Sequence, residues 1–234
     1  MRQSIVVFTG AGISKESGLP TFRDNEGIWS RYDADTVATP QGFEADTETA
    51  LKFYNELRMA VANVRPNHAH VALAELETEY DVTVITQNVD NLHERAGSKH
   101  VIHLHGELTK VTSSRNRLSS DCISELHLTA PIKLGDVAAD GSQLRPHVVM
   151  FGEYLTDMPQ AIDLVKQADI FIVIGTSLKV FPANRLIKFA HPEIPRFIID
   201  PNEIDVPPGF VHIKQSATVG IDDFLTTLNN MLND

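Results

Sequence analysis

A glycine-rich turn directly after the first apolar run constrains the fold of this chain most strongly. Residues 4–8, Ser-Ile-Val-Val-Phe, read as a buried parallel strand, and Gly10-Ala11-Gly12 follow immediately. Glycines let the backbone approach a pyrophosphate, and the N–H groups at the start of a helix point at the anion. The stretch predicts a phosphate cradle. A tight turn at the end of a strand is an equally good interpretation of a lone Gly-x-Gly.

The residues after this turn argue against a hydride-transfer enzyme. The Gly-x-Gly-x-x-Gly pattern of such enzymes would require glycine at position 15, where the chain has Lys15. Pro20 then introduces the polar segment Thr21-Phe22-Arg23-Asp24 where a helix should continue. The pattern predicts a short first helix and a long polar loop beside the phosphate site, and such loops are often functional.

Composition narrows the class of protein. The chain has 234 residues, 42% hydrophobic content, one cysteine and a net charge of -11. It contains no apolar run near the ~20 residues that span a bilayer, and its start enters the first strand without room for a signal peptide. A strongly acidic chain disfavours general binding to nucleic acid or anionic membranes. We expect a cytoplasmic protein, a monomer, with neither nucleic acid nor membrane as partner.

Short apolar runs alternate with helical patterns along most of the chain. Strands are predicted at 82–86, 101–104, 148–151, 170–174, 197–199 and 211–213, and helical spacing covers 47–63, among other segments. This alternation predicts an α/β fold, a Rossmann-like parallel sheet with helices on both faces. Residues 107–147 are polar and break the pattern. We therefore predict a dinucleotide-binding domain from 1–106 and 148–234 with a small inserted module at 107–147.

Polar clusters follow several predicted strands, at the sheet edge where open parallel sheets bind ligands. They are Gly10-Ala11-Gly12, Gln87-Asn88-Val89-Asp90, His105-Gly106-Glu107, Gly175-Thr176-Ser177 and Asp200-Pro201-Asn202-Glu203. Each alone is typical of a helix cap or turn, but together they favour a nucleotide site. Histidine is the natural general base. Of the ten histidines, His105 ends its strand and is the more exposed candidate, while His103 is predicted to be a hydrogen-bonded core residue.

These motifs resemble the sirtuins, the NAD-dependent protein lysine deacylases. The matching segments occur in family order over nearly the whole chain: 10–14, 17–23, 86–93, 103–107, 151–153 and 175–178. The resemblance implies an enzyme that consumes NAD, transfers the acyl group of an acyl-lysine protein or peptide to ADP-ribose and releases nicotinamide. It makes His105 the catalytic base, with Asn88 beside it at the nicotinamide ribose.

The resemblance also implies a set of binding residues. Those implied for NAD are Gly10, Ala11, Gly12, Ile13, Phe22, Arg23, Gln87, Asn88, Asp90, Gly175, Thr176, Ser177, Pro201, Asn202, Glu203 and Ala217. Phe22 and Arg23 would close over the cofactor, and Asp90 would hold the carboxamide of nicotinamide. The backbones of Phe151, Gly152, Glu153, Leu178, Lys179 and Val180 would pair with the substrate as strands.

The acyl pocket departs from the pattern that the chain resembles most. The class that prefers succinyl or malonyl lysine carries Tyr-x-x-Arg on a helix and a pocket-widening alanine. Ala38 and Tyr54 match, but Leu57 replaces the arginine, and Arg58 is offset by about 100° on the helix. A roomy, neutral pocket that prefers acetyl or longer apolar acyl groups is predicted, unless Arg58 reaches in. Alternatively, Tyr54 and Leu57 simply face the core.

The second departure concerns the zinc module of the family. Most sirtuins hold zinc with four cysteines, whereas here Ser113 stands near the first position and Cys122 is alone. A mixed site from Cys122, His127 and carboxylates has no supporting spacing. We therefore expect no metal and a module held by its own core, drawn from Leu118, Ile123, Leu126, Leu128, Ile132 and Leu134.

Two further functions remain open at this stage. The same site in some relatives performs mono-ADP-ribosyl transfer to a protein. A non-catalytic NAD-binding module would also need the phosphate cradle, although it would not need His105, Asn88 and Asp90.

Overall fold

The computed structural model describes residues 2–21, 28–205 and 207–233. Its strands are β1 (Ser4–Thr9), β2 (Asp81–Thr86), β3 (Val101–His103), β4 (Gly106–Ser113), β5 (Ser124–Glu125), β6 (Leu144–Val148), β7 (Ile170–Ile174), β8 (Arg196–Ile199) and β9 (Phe210–Ile213). Six of them form one parallel sheet in the order β3-β2-β1-β7-β8-β9. The predicted α/β fold with a Rossmann-like parallel sheet is confirmed.

Several helices begin directly after a residue whose side chain caps the helix N-terminus. The helices are α1 (Ala11–Lys15), α2 (Ala34–Val37), α3 (Pro40–Ala45), α4 (Thr47–Asn63), α5 (His68–Leu76), α6 (Leu92–Ala96), α7 (Met158–Gln167) and α8 (Ala217–Asn233). Asp33, Thr39, Asp46 and Asn67 accept hydrogen bonds from the first-turn N–H groups of α2 to α5. Short 3₁₀ helices cover Ile28–Arg31, Ser120–Cys122 and Ala183–Phe189.

The two faces of the large sheet bury separate apolar cores. Alternate residues of β1 point to opposite sides: Ile5 and Val7 pack with α5 and α8, whereas Val6 and Phe8 pack with α7 and residues 183–189. Strands buried on both faces explain the continuous apolar runs in the sequence. Helices on both sides of the sheet leave its carboxyl edge open for the site.

A second, smaller sheet is antiparallel and has the strand order β5-β4-β6. Apolar residues of β4 and β6 share a core with Phe43, Phe53 and Val61 from α3 and α4. Helices α2 to α4 therefore pack with the insert. The domain boundaries at residues 106 and 148 follow from composition and remain a prediction. They assign α2 to α4 to the larger domain.

Three local expectations were wrong. The strand predicted at 148–151 lies at 144–148 instead, because β6 pairs with β4 in the small sheet, and the chain then turns at residues 151–153. Leu118 and Leu134, predicted in the core of the insert, have 53% and 64% of their surface exposed. Leu128 and Ile132 are buried as predicted, but against α4 rather than in a core of the insert alone.

Candidate active site

The ends of β1 and β7 form a close-packed floor at the carboxyl edge of the sheet. Gly10 N–H donates to Ile174 O (3.0 Å), and Gly12 N–H donates to Gly175 O (2.8 Å). A Cβ on Gly12 would lie 2.6 Å from Gly175 Cα, and Gly175 has φ +63°. The glycines are required because two backbones approach within contact distance here. Ala11 and Ile13 begin α1 on this floor, with Ile13 buried beneath it.

The loop after β2 is locked to α1 by buried polar contacts. Asn88 Nδ2 donates to Gly10 O (3.2 Å) and to Ser14 Oγ (3.1 Å), and Ser14 Oγ donates to Asp90 Oδ2 (3.0 Å). Burial raises the pKa of Asp90, while hydrogen bonds from Leu92 and Ser14 oppose that rise. Ser14 lies inside the glycine motif, yet sequence reasoning did not single it out.

His105 is oriented by the same loop. Its Nδ1 lies 2.8 Å from Gln87 O, which can only accept, so Nδ1 carries the proton and Nε2 keeps its lone pair. Burial lowers the pKa of His105, and the hydrogen bond to Gln87 opposes this. The side chain is half-buried. The imidazole is therefore a neutral base at neutral pH.

The side chain of Gln87 has a buried donor without a partner. Thr176 Oγ1 donates to Gln87 Oε1 (2.8 Å), which fixes the amide, and Gln87 Nε2 is buried without a hydrogen bond among the described residues. Buried donors are nearly always satisfied, so an acceptor is expected here. A ribose hydroxyl of a bound dinucleotide would be such an acceptor. Together with the glycine floor, this orphaned donor fits a dinucleotide such as NAD.

The remaining predicted NAD residues lie along the same sheet edge or outside the described ranges. Pro201, Asn202 and Glu203 are exposed after β8, and Ser177 is exposed after β7. Ala217 is buried at the start of α8, where Glu16 accepts from Thr218 N–H (2.9 Å). Phe22 and Arg23 lie outside the residues that the structure describes.

The predicted acyl-pocket residues lie on or next to α4. Ala38 and Tyr54 are buried in one core cluster, and the Tyr54 ring packs against Phe53 with centroids 5.0 Å apart. Burial raises the pKa of Tyr54, so the phenol stays neutral. Leu57 is half-buried at a groove of about 900 Å³ that Leu19, Ile28 and other apolar residues also line. Tyr54 is thus packed in this core, and Leu57 packs against the same core while it also lines the groove.

Arg58 is fully buried and faces away from that groove. Its guanidinium donates to four backbone carbonyls of the insert region, Leu108, Leu126, His127 and Ala130. Burial lowers its pKa to about 10. The alternative in which Arg58 reaches the acyl pocket does not hold in this structure, because both Nη atoms bind these carbonyls and Nε is buried without a partner among the described residues.

The two predicted peptide-binding segments are partly exposed and lie outside the strands. Phe151 is 53% exposed, Gly152 has φ +92°, and Leu178 has φ +54°; Lys179 and Val180 follow in irregular backbone. The Glu153 side chain has a separate task, since Arg145 Nη2 (2.5 Å) and Met150 N–H (2.8 Å) donate to its two oxygens. Phe151 N–H donates to Ala38 O (2.7 Å), which ties this turn to α2.

Within residues 2–21, 28–205 and 207–233, no group of three His, Cys, Asp or Glu side chains could hold a metal ion. No helix of the described chain is both long and apolar enough to cross a membrane.

Fold and site together define a dinucleotide-binding α/β protein with a neutral histidine base at the carboxyl edge of its sheet. The Sir2 family model matches residues 10–182. An NAD-dependent protein deacylase of Bacteroides thetaiotaomicron is 47% identical over 224 residues, covering 94% of this chain and 96% of the relative. One of Helicobacter pylori strain 26695 is 45% identical, covering 98% and 99%. This chain belongs to the Sir2 family.

Solved structures agree with this assignment. A Sir2 homologue in complex with NAD superposes with a TM-score of 0.86 at 38% identity, covering 99% of this chain and 91% of that one. A Sir2 structure with a deacetylated p53 peptide and 3'-O-acetyl ADP ribose gives a TM-score of 0.81 at 29% identity, covering 97% and 94%.

Proposed function

We propose that this chain removes acyl groups from lysine side chains of protein substrates at the expense of NAD, with His105 as its base. NAD-dependent protein deacylation is the named activity of relatives that are 45–47% identical over nearly the full length, and it is the activity of this chain. The observation that carries the residue assignment is the His105 ring, held by Gln87 O with Nε2 free to take a proton.

The residues divide the work in a way that their contacts support. NAD, when bound, supplies the ribose carbon from which nicotinamide leaves. Gly10 and Gly12 give the floor for the pyrophosphate, and the orphaned Gln87 Nε2 offers a donor to a ribose hydroxyl. Asp90, fixed by Ser14 and Leu92, holds the carboxamide. His105 Nε2 accepts the proton of a ribose hydroxyl.

The test is His105→Ala assayed with NAD and acetyl-lysine peptide. Because a positioned base contributes roughly 10²–10⁴-fold, we expect the steady-state rate of free-lysine formation to fall by that factor while NAD affinity stays nearly unchanged. His100→Ala, at an exposed histidine, is the matched control and should keep full activity. Persistent activity in His105→Ala would refute the base. Modified protein in place of free lysine and O-acyl-ADP-ribose would indicate ADP-ribosyl transfer instead.

The acyl pocket that we infer is neutral and prefers acetyl or longer apolar acyl groups over succinyl. Leu57 offers no charge, and Arg58 is committed to four carbonyls. The groove beside Leu57 is lined mainly by apolar side chains, with charged residues of both signs among the rest, and Arg31 in that lining is paired with Glu56. A succinyl carboxylate would lose its water without gaining a bidentate arginine.

Rates on acetyl, butyryl, myristoyl and succinyl peptides test this preference. Leu57→Arg should raise succinyl activity by about 10- to 100-fold, the value of a charge-assisted hydrogen bond. Leu57→Met keeps the size without the charge and should leave the ranking unchanged. A wild-type enzyme that prefers succinyl would contradict the proposal.

We also infer that the insert folds without zinc, because hydrogen bonds join the two turns where zinc ligands would be expected. Ser113 Oγ accepts from Asn116 N–H (2.8 Å) and donates to Asp140 Oδ2 (2.7 Å). Asp140 Oδ1 accepts from Ser142 N–H (3.0 Å) and Ser142 Oγ (2.7 Å). Elemental analysis of pure protein should find no stoichiometric metal. One tightly bound zinc per chain would refute this.

A further inference from the structure

His103 has an arrangement that the proposed mechanism does not use. Its ring is buried at the end of β3, with 6% of its side chain exposed. Nδ1 lies 2.9 Å from Asn88 O, and Nε2 lies 2.7 Å from Glu94 Oε1. Sequence analysis predicted a hydrogen-bonded core residue, and its two partners are elements of the active-site edge.

Both partners of this ring are acceptors. A backbone carbonyl cannot donate, and an ionised carboxylate cannot donate either. A neutral imidazole has one N–H, so it would satisfy one of the two and turn a lone pair toward the other. Only the imidazolium, with a proton on each nitrogen, satisfies Asn88 O and Glu94 together.

The contact bears directly on the catalytic base. Three consecutive residues bind three consecutive carbonyls: His103 Nδ1 faces Asn88 O, Leu104 N–H donates to Thr86 O (2.9 Å), and His105 Nδ1 donates to Gln87 O. The two consecutive carbonyls of the Gln87–Asn88 segment are thus each bound by one histidine ring. A shift of the Asn88 carbonyl moves the acceptor that orients His105.

We propose that His103 is a positioning residue that holds the Gln87–Asn88 segment to Glu94 of α6 only while its ring is an imidazolium. This rests on the proposed role of His105 and adds a second titration to the same site. His105 must be neutral to act, whereas His103 must be charged to hold the loop. A plot of kcat/KM against pH should therefore fall on the acid side as His105 gains a proton and on the alkaline side as His103 loses one.

The electrostatic surroundings favour the charged ring. The titratable groups that face it or line the adjacent cleft come from every neighbouring element: Asp90, His93, Glu94, Glu107, Arg117, His147 and Asp157. Burial by itself lowers the pKa of His103, but the hydrogen bond and charge of Glu94, the Asn88 carbonyl and Glu107 outweigh it and raise the pKa. His93 and His147 do not compete for the charge, because burial lowers the pKa of both.

The decisive variant is Glu94→Gln, at a side chain that is 39% exposed and tolerant of an isosteric change. Its amide can donate to Nε2 of a neutral His103 while Nδ1–H still binds Asn88 O. Both hydrogen bonds of His103 then form without a second ring proton. In the wild type, kcat/KM should fall about tenfold across the alkaline limb, the value of one charge-assisted hydrogen bond. In Glu94→Gln that limb should disappear while the acid limb of His105 stays.

A second pair in the chain supplies the control. His68 and Asp222 make an ion pair at 2.7 Å on the surface, with both side chains more than half exposed. His68→Gln should leave activity and the pH profile unchanged. ¹⁵N NMR of the wild-type protein should show both ring nitrogens of His103 protonated at neutral pH, and this readout does not depend on activity.

The outcomes separate this inference from the proposed function. An alkaline limb that persists unchanged in Glu94→Gln, or a His103 ring with one unprotonated nitrogen at neutral pH, overturns the proposed role of His103 even if the enzyme deacylates normally. Failure of the His105→Ala test overturns the proposed base while the NMR result on His103 stands.

Discussion

Replacing Arg58 with methionine should destabilise the whole chain strongly. Its guanidinium is fully buried, and its Nη2 donates to Leu126 O (3.2 Å), His127 O (2.7 Å) and Ala130 O (3.1 Å), with Nη1 donating to Leu108 O. The described residues offer no carboxylate at ion-pair distance. One cation thus organises the carbonyls where β4 and residues 126–130 meet α4.

The magnitude follows from the groups left behind. A buried carbonyl without a donor costs about 1–3 kcal/mol; the Leu108 contact is buried and the other three are part-buried, so the gross loss is about 4 kcal/mol. Removing a buried charge recovers part of its desolvation cost. We expect a net loss of about 3 kcal/mol in the free energy of unfolding, with Arg58→Lys intermediate because the ammonium cannot span the same carbonyls.

Urea unfolding followed by circular dichroism measures this change. Arg31→Met is the matched control, since Arg31 pairs with Glu56 at the surface and its side chain is 61% exposed. It should cost less than about 1 kcal/mol. A loss below about 1 kcal/mol for Arg58→Met would refute the view that this guanidinium holds the insert to α4.

Three further predictions concern the sheet edge and the insert. Gly175→Ala should abolish measurable NAD binding by calorimetry, because its Cβ would lie 2.4 Å from Ile13 N at a φ of +63°. Wild-type affinity would contradict the view that the close backbone contact at Gly175 shapes the phosphate site. Thr176→Val should raise KM for NAD several-fold with little change in Tm, since it frees the Gln87 amide that Thr176 fixes. An unchanged KM would contradict the proposed contact between Gln87 and NAD. Hydrogen bonds from Ser113 and Ser142 lower the pKa of Asp140 to about 2 from the ordinary 3.8. The stabilisation by this carboxylate is therefore present above about pH 4 and is lost as the pH falls toward 2. Asp140→Asn should flatten that part of the Tm-against-pH curve, and an unaltered curve would contradict the role of the cluster.

The order of elements and the location of the site could be predicted from the sequence, because both follow from local pattern. Apolar runs of strand length alternating with helical spacing dictate a parallel sheet, and chain direction then brings every strand end to one edge. The polar residues after β1, β2, β3, β7 and β8 all lie there. His105 could be singled out as the candidate base because it follows the third apolar run at this edge, although β3 ends at His103 and His105 lies in the turn after it.

Tertiary structure decided what depends on partners distant in the chain. Arg58 binds carbonyls 50 to 72 residues away, and no local pattern distinguishes it from an arginine that reaches a ligand. Leu118 and Leu134 are as apolar as Leu128 and Ile132, yet only the latter two are buried against α4, and the first two are exposed.

The same reason applies to the polar groups of the site. The Sir2 motifs are present in the sequence itself, and the sequence also determines which residues follow the strands at the carboxyl edge of the sheet. Only the folded chain decided that Glu94 and Asn88 O face the two nitrogens of His103, that Gln87 Nε2 has no partner, and that Glu153 anchors Arg145. Charge and hydrogen-bond demand are set by the groups that burial brings together, and burial is a property of the packed structure.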